Sequence, residues 1–182
     1  NGIVVVISTG NEGTKSTAAK RQIDDPGRAA MALTVAAVND LNRLTDYSSH
    51  GFSNPQSATG CEEDFKPDIA APGGSSYCTH IMSVDSGSGD TASFPDQQPN
   101  DYRNTSGTSL ASPFAAGAAA LVIDAMQKAG TVWDFSSSQH SRYVKMLLCA
   151  TASETNAYRE SSQYNPTLQR AAQGPSGYPA GK

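Results

Sequence analysis

Residues 107–129 read Gly-Thr-Ser-Leu-Ala-Ser-Pro-Phe-Ala-Ala-Gly-Ala-Ala-Ala-Leu-Val-Ile-Asp-Ala-Met-Gln-Lys-Ala. From Phe114 to Met126 nearly every side chain is small or apolar, with no polar stripe at helical spacing. This pattern predicts a helix from about Ser109 to Ala129, apolar all round and therefore placed in the middle of a protein. Its run of small residues (Ala115, Ala116, Gly117, Ala118, Ala119, Ala120) permits close approach to a sheet. Ser106 or Thr108 is the expected N-cap, and Pro113 is tolerable only near the first turn.

Outward from that helix, short apolar runs alternate with polar, Gly- and Pro-rich connections. Residues 3–8 predict a strand buried on both faces, ending in Ser8-Thr9-Gly10-Asn11-Glu12-Gly13. Residues 30–38 predict a second buried strand. A third is expected at 68–74, stopped by a Pro-Gly turn, and a fourth at 81–84. A second, amphipathic helix is expected over 139–151, and residues 85–104 and 152–182 read as loops. The expected fold is α/β, three-layered, with a mostly parallel sheet and a buried central helix.

The bulk composition suits one domain. The chain has 182 residues, 37% hydrophobic and 16% charged, with 16 Gly and 10 Pro. Its net charge of -4 comes with no basic cluster, so nucleic acid is not an expected partner. No apolar run is expected to reach the ~20 residues of a membrane span. Cys61, Cys78 and Cys149 do not make a zinc knuckle or a disulfide scaffold. Cys149 reads as a buried thiol, while Cys61 and Cys78 could pair if the protein is exported. Asn104-Thr105-Ser106 is a glycosylation sequon, though it lies close to Ser109.

Ser109 is the first chemical candidate. A serine at a helix start can project its Oγ into a cleft. Its own N–H is one of the donors that the first turn leaves unsatisfied, and the helix dipole favours negative charge there. Gly107 lets a tight turn or a substrate backbone come close. The same residues also read as a plain helix cap, and Asn11-Glu12-Gly13 as a plain turn.

Four segments together carry a resemblance. Residues 107–117 are similar to the nucleophile motif of subtilisin-like peptidases, Gly-Thr-Ser-Met-Ala-Ser-Pro-His-Val-Ala-Gly, departing at Leu110, Phe114 and Ala115. Residues 4–13 resemble that family's strand ending in Ala-Ala-Gly-Asn-Glu-Gly. Asp25-Pro26-Gly27-Arg28 resembles its Tyr-Pro segment, where the X-Pro bond is cis. Lys66-Pro67-Asp68-Ile69-Ala70-Ala71-Pro72-Gly73 resembles its Pro-Asp-Ile-x-Ala-Pro-Gly. The likeness covers roughly residues 1–150, with insertions at about 40–65 and 83–104.

The resemblance implies a serine endopeptidase acting on polypeptides through an acyl-enzyme, with Ser109 as nucleophile. It implies that Asn11 donates its carboxamide to the oxyanion, that Ser8, Thr9, Gly10 and Gly107 line the substrate cleft, and that the protein is secreted. A cis Asp25–Pro26 bond follows as well. In the family the order along the chain is Asp, His, Asn, Ser, so the acid and base motifs are expected before Asn1. The chain therefore reads as the C-terminal part of one catalytic domain, truncated at both ends and inactive without its N-terminal portion. His50, His80 and His140 read as surface histidines, and Asp85 lies on the wrong side of the order for the triad. Residues 85–90 read as a loop, with a weak structural calcium site as the alternative; no EF-hand spacing is present, and the chemistry requires no cofactor. A degenerate domain with a binding or structural role is the second reading. The sedolisin branch, which has Asp where Asn11 stands, and an α/β-hydrolase, which wants Gly at Ala111, fit less well.

Overall fold

The structure, a computed structural model, describes residues 2–14, 22–23, 25–51, 66–77, 80–84 and 102–160. The strands are β1 (Val6–Ser8), β2 (Leu33–Val38), β3 (Arg43–Leu44), β4 (Ile69–Pro72), β5 (Ile81–Val84), β6 (Tyr102–Thr105) and β7 (Asn156–Arg159). The helices are α1 (Thr108–Lys128) and α2 (Gln139–Thr151).

The strand β2, apolar but for Thr34, is buried at every position, as a central parallel strand requires. It pairs in parallel with β1 (Val6 opposite Leu33) and with β4 (Val35 opposite Ile69). At its C-terminal end it meets β3 antiparallel, and β3 pairs in parallel with β7. β5 and β6 form a separate antiparallel hairpin. The α/β class with a mostly parallel sheet is thus as expected. Three strands were not: β3, β6 across the end of the expected loop 85–104, and β7 inside the expected loop 152–182. Each is short and lacks an apolar run, so it exists by pairing with a distant partner and not by local pattern.

Alternate residues of β2 (Leu33, Val35, Ala37) and of β4 (Ile69, Ala71) meet Ala111 and Ala115 of α1 in the main core. The alanines let the helix lie close on the sheet. The helix is not buried on all sides, however, which corrects the expectation of a buried central helix. Only Thr108, Ala111, Ala115 and Ala119, one stripe at helical spacing, are buried. Phe114 and Leu121 are 50% and 72% exposed, because the sheet covers one face and no described element covers the opposite one. The expectation that no segment approaches a membrane span is corrected too. α1 has the length and, at a mean hydropathy of 1.5, the composition of a span, although its alanine stripe packs on the sheet. Pro113 falls in the second turn and not the first.

Charge is buried beneath the sheet around Lys66, and again at Arg159 and Glu160. The fully enclosed Lys66 donates its Nζ to Ala32 O (2.6 Å) and Asp68 Oδ2 (2.6 Å), and Lys145 of α2 reaches Asp68 Oδ1 at 2.9 Å. Asp68 also accepts the Thr34 N–H at 2.7 Å, so one carboxylate ties β2, β4 and α2. Burial holds the Lys66 ammonium below the usual lysine range, with Asp68 opposing that shift. Asp25–Pro26 is cis, as the resemblance implied, and so is Lys66–Pro67.

Candidate active site

The C-terminal ends of β1 and β4 carry the two backbone turns that build the site. After Ser8 the chain turns at Gly10, whose φ of 96° lies in the left-handed region that suits glycine. Three residues on, Gly13 passes so close to the segment 46–48 that a Cβ would stand 2.4 Å from Asp46 O. Its N–H donates to Tyr47 O (2.7 Å), while Ser49 N–H donates to Gly10 O (2.9 Å) and Glu12 N–H to Ser49 Oγ (3.1 Å). The loop bearing Asn11 is therefore gripped at three backbone points by residues 47–49.

The second turn runs from Gly73 to Gly107. Gly107 N–H donates to Gly73 O at 2.8 Å, and the backbones approach so closely that a Cβ on Gly73 would be 2.9 Å from Gly107 O. Helix α1 begins at once. Gly107 is its N-cap residue and supplies no side chain to the first turn. The cap comes from Asn11, 97 residues earlier: Thr108 N–H and Thr108 Oγ1–H both donate to Asn11 Oδ1, each at 2.9 Å. This corrects the expected capping by Ser106 or Thr108, and Thr108 becomes a donor to the cap instead.

That bond fixes the carboxamide's orientation. A backbone N–H can only donate, so the atom facing Thr108 is the oxygen, and Asn11 Nδ2 must turn the other way. It turns toward Gly107. A Cβ there would lie 3.4 Å from Asn11 Nδ2 and 3.8 Å from Ser109 N. Two N–H-bearing groups thus border one gap at the positive end of a helix, an arrangement suited to developing negative charge. Ser109, at the second helical position, is exposed.

The structure brings together Ser109, Asn11 and Gly107, with Ser8 and Gly10 half-buried beside them. Thr9 departs from the expected cleft-lining role. It is 2% exposed and its hydroxyl faces Ser48 Oγ at 3.4 Å, since alternation along the chain from β1 points it inward. Gly107 is buried and serves the tight turn, the first of the two uses expected of it.

None of the three histidines bonds Ser109, although His80 lies against the turn: a Cβ on Gly74 would stand 3.2 Å from His80 Cα. His80 is exposed. His50 is half-buried and not a surface residue, with Arg159 Nη2 3.0 Å from its Nδ1. His140 accepts the Asp134 N–H (3.2 Å) and stacks near Trp133, whose Nε1–H donates to Gly2 O. That puts His140 where the chain enters β1, the end of the strand opposite Asn11. Cys149 is half-buried on α2, less enclosed than expected. Among the described residues no group of three or more His, Cys, Asp or Glu could hold a metal. The readings on Cys61, Cys78 and the 85–90 calcium loop lie outside the described residues.

Sequence reasoning missed two participants. Thr108 adjoined the nucleophile, but its link to Asn11 has no local signature. Tyr47 sits in a polar run, yet its hydroxyl shares its proton between Gly73 O (2.8 Å) and Gly74 O (2.7 Å), the turn that holds Gly107. Burial pushes the Tyr47 hydroxyl up to about 12, and the nearby Glu160 and Asp46 carboxylates add to this.

A mostly parallel α/β sheet, with a serine-headed helix beside a carboxamide at the strand ends, defines the class of scaffold. Comparison with known proteins narrows the class: the sequence profile described as Subtilase family (Peptidase_S8) matches residues 1–174, and the chain belongs to that family. It is 34% identical over 126 residues to serine protease AprX of Bacillus subtilis (strain 168), covering 67% of this chain and 26% of AprX. It is 30% identical over 123 residues to subtilisin DY of Bacillus licheniformis, covering 68% of this chain and 33% of that protein. Among solved structures, the prenylagaramide maturation protease PagA is similar at a TM-score of 0.58 and 25% identity, over 85% of this chain and 42% of PagA. A lanthipeptide protease shares the fold at a TM-score of 0.60 over 85% of this chain and 44% of its own. The chain thus spans a quarter to a third of those curated relatives and less than half of those solved chains.

Proposed function

We propose that this chain carries the nucleophile and oxyanion hole of a serine endopeptidase that cleaves polypeptides through an acyl-enzyme. The observation that carries the proposal is the double anchorage of Asn11 Oδ1 on Thr108, which leaves Nδ2 and the Ser109 N–H on the same gap. Ser109 Oγ attacks the scissile carbonyl while its proton passes to a base. The carbonyl oxygen becomes an oxyanion held by Asn11 Nδ2 and Ser109 N. Collapse breaks the C–N bond, the proton goes to the leaving amine, and water then hydrolyses the ester. An extended peptide docks by strand addition beside Ser8 and Gly10.

The base and its orienting acid belong, on this reading, to sequence N-terminal to Asn1. Two exposed apolar surfaces support a docking partner there: the outer face of α1 (Phe114, Leu121) and residues leading into and along β1 (Ile3 and Val5, 56% and 48% exposed). The named relatives, several-fold longer than the matched stretch, are consistent with such a portion. On this reading the chemistry requires no cofactor, and calcium serves at most as a structural ion. Secretion is the location this reading carries. The second reading, a degenerate domain used for binding, draws on the lack of a hydrogen bond from the Ser109 hydroxyl to any histidine or carboxylate among the described residues.

The test is hydrolysis of a quenched fluorescent peptide library by the full-length protein and its Ser109→Ala variant. Turnover abolished by the substitution is expected. Turnover that survives it, or none in the unsubstituted full-length protein, would contradict the assignment.

A further inference from the structure

Tyr47 touches both halves of the proposed site from behind, by different atoms. Its carbonyl accepts the Gly13 N–H at 2.7 Å, two residues beyond Asn11. Its one hydroxyl proton is shared between Gly73 O at 2.8 Å and Gly74 O at 2.7 Å. Gly73 O is also the acceptor for Gly107 N–H, two residues before Ser109. One residue therefore spans from the oxyanion loop to the nucleophile turn, in addition to the direct Asn11–Thr108 bond.

The Gly73 carbonyl shows why the hydroxyl matters there. A carbonyl oxygen has two lone pairs; one takes Gly107 N–H and the other takes Tyr47 Oη–H. The hydroxyl lies within hydrogen-bond distance of both carbonyls of the Gly73-Gly74 turn and shares its one proton between them. A Cβ on Gly73 would stand 3.0 Å from it and 2.5 Å from Ala37 Cβ, so the turn has no room on that side to shift. Phenylalanine in place of tyrosine would keep the ring's packing against the core and release only this clamp.

The geometry points to Tyr47 as a positioning residue of the hydrolytic site, fixing the separation between Asn11 Nδ2 and Ser109 through its grip on the Gly73-Gly74 turn. The inference rests on the peptidase reading above. An oxyanion hole works only when its donors are held where the charge will develop, so a loosened clamp weakens transition-state binding more than substrate binding. The hydroxyl's raised proton affinity keeps it a neutral donor across the working pH range.

The test compares Tyr47→Phe with the unsubstituted full-length protein, alone and combined with Asn11→Ala, and uses Ser109→Ala as the control. The expected result for Tyr47→Phe is a fall in kcat of about 3- to 10-fold, the scale of one hydrogen bond, with KM changed less than twofold. In the Asn11→Ala background the same substitution should cost less than twofold, because the donor it positions is gone. An unchanged kcat for Tyr47→Phe, an equal fall in both backgrounds, or a collapse of thermal stability would each overturn the positioning role. Activity surviving in Ser109→Ala would instead remove the peptidase reading itself.

Discussion

On the proposed peptidase reading Asn11 holds two functions on one carboxamide, and substitutions can separate them. Its oxygen caps α1 through two bonds to Thr108, and its nitrogen faces the gap beside Ser109. Asn11→Asp keeps an acceptor for the Thr108 donors and places negative charge at a helix N-terminus, which is favourable. It removes the N–H donor and sets a carboxylate where an oxyanion should form. Asn11→Ala removes cap and donor together. Loss of a helix cap costs about 1 kcal/mol, or roughly 2–4 °C in Tm for a domain of this size. Loss of one oxyanion donor costs about 10²–10³ in kcat, or ~3–4 kcal/mol of barrier; that range is the one known for subtilisin itself. The expected pattern in the full-length protein is therefore split. Asn11→Asp should retain its Tm and lose at least about 10²-fold in kcat. Asn11→Ala should lose a similar amount of kcat and a few degrees of Tm as well. Initial rates on a chromogenic peptide and calorimetric unfolding measure the two axes. Near-normal kcat in Asn11→Asp, with the cap intact, would refute the donor role of Nδ2.

Three further substitutions address other parts of the structure. Gly107→Ala puts a methyl group 3.4 Å from Asn11 Nδ2 and is expected to lower kcat about 10-fold or more, measured as initial rates; wild-type activity would mean the gap is not used. Asp68→Asn leaves the buried Lys66 without its carboxylate and should cost about 3–5 kcal/mol by denaturant unfolding, whereas a loss under ~1 kcal/mol would show that Lys66 folds neutral. Tyr47 holds its proton more tightly folded, at about 12, than unfolded, near 10. Its stabilising contribution is therefore full below pH 10 and lost as pH rises toward 12. Unfolding curves of Tyr47→Phe against the unsubstituted protein should converge over that interval, and a constant difference would contradict the clamp.

How much of this could be read from letters alone depended on whether a residue's role is local. β2 was legible because a parallel strand buried on both faces must be almost wholly apolar, and α1 because the nearly unbroken small and apolar run from Phe114 to Met126 has few other uses. Both turn glycines could be anticipated, since Gly10 follows a strand and Gly107 precedes a helix. The boundaries shifted inward by a few residues where Ala29–Ala32 turns instead of extending. β6 and β7 were hidden because Tyr-Arg-Asn-Thr and Asn-Ala-Tyr-Arg have no alternating pattern and owe their extended form to partners far along the chain. Thr9 was misassigned because its neighbours Ser8 and Gly10 are half-buried while its own side chain is enclosed. Tyr47 and the true cap of α1 were invisible for one reason: each is a side chain acting on backbone or side-chain groups tens of residues away. The one-sided burial of α1 could not be foreseen either, because composition says that a helix is apolar but not which faces the described structure covers.

Covalent labelling of the nucleophile tests the central claim most directly. The full-length protein would be treated with a fluorophosphonate and the adduct located by peptide mass mapping. A single phosphonyl group on the peptide containing Ser109, absent after Ser109→Ala, is the expected result. An adduct on any other serine, or labelling undiminished by Ser109→Ala, would contradict it.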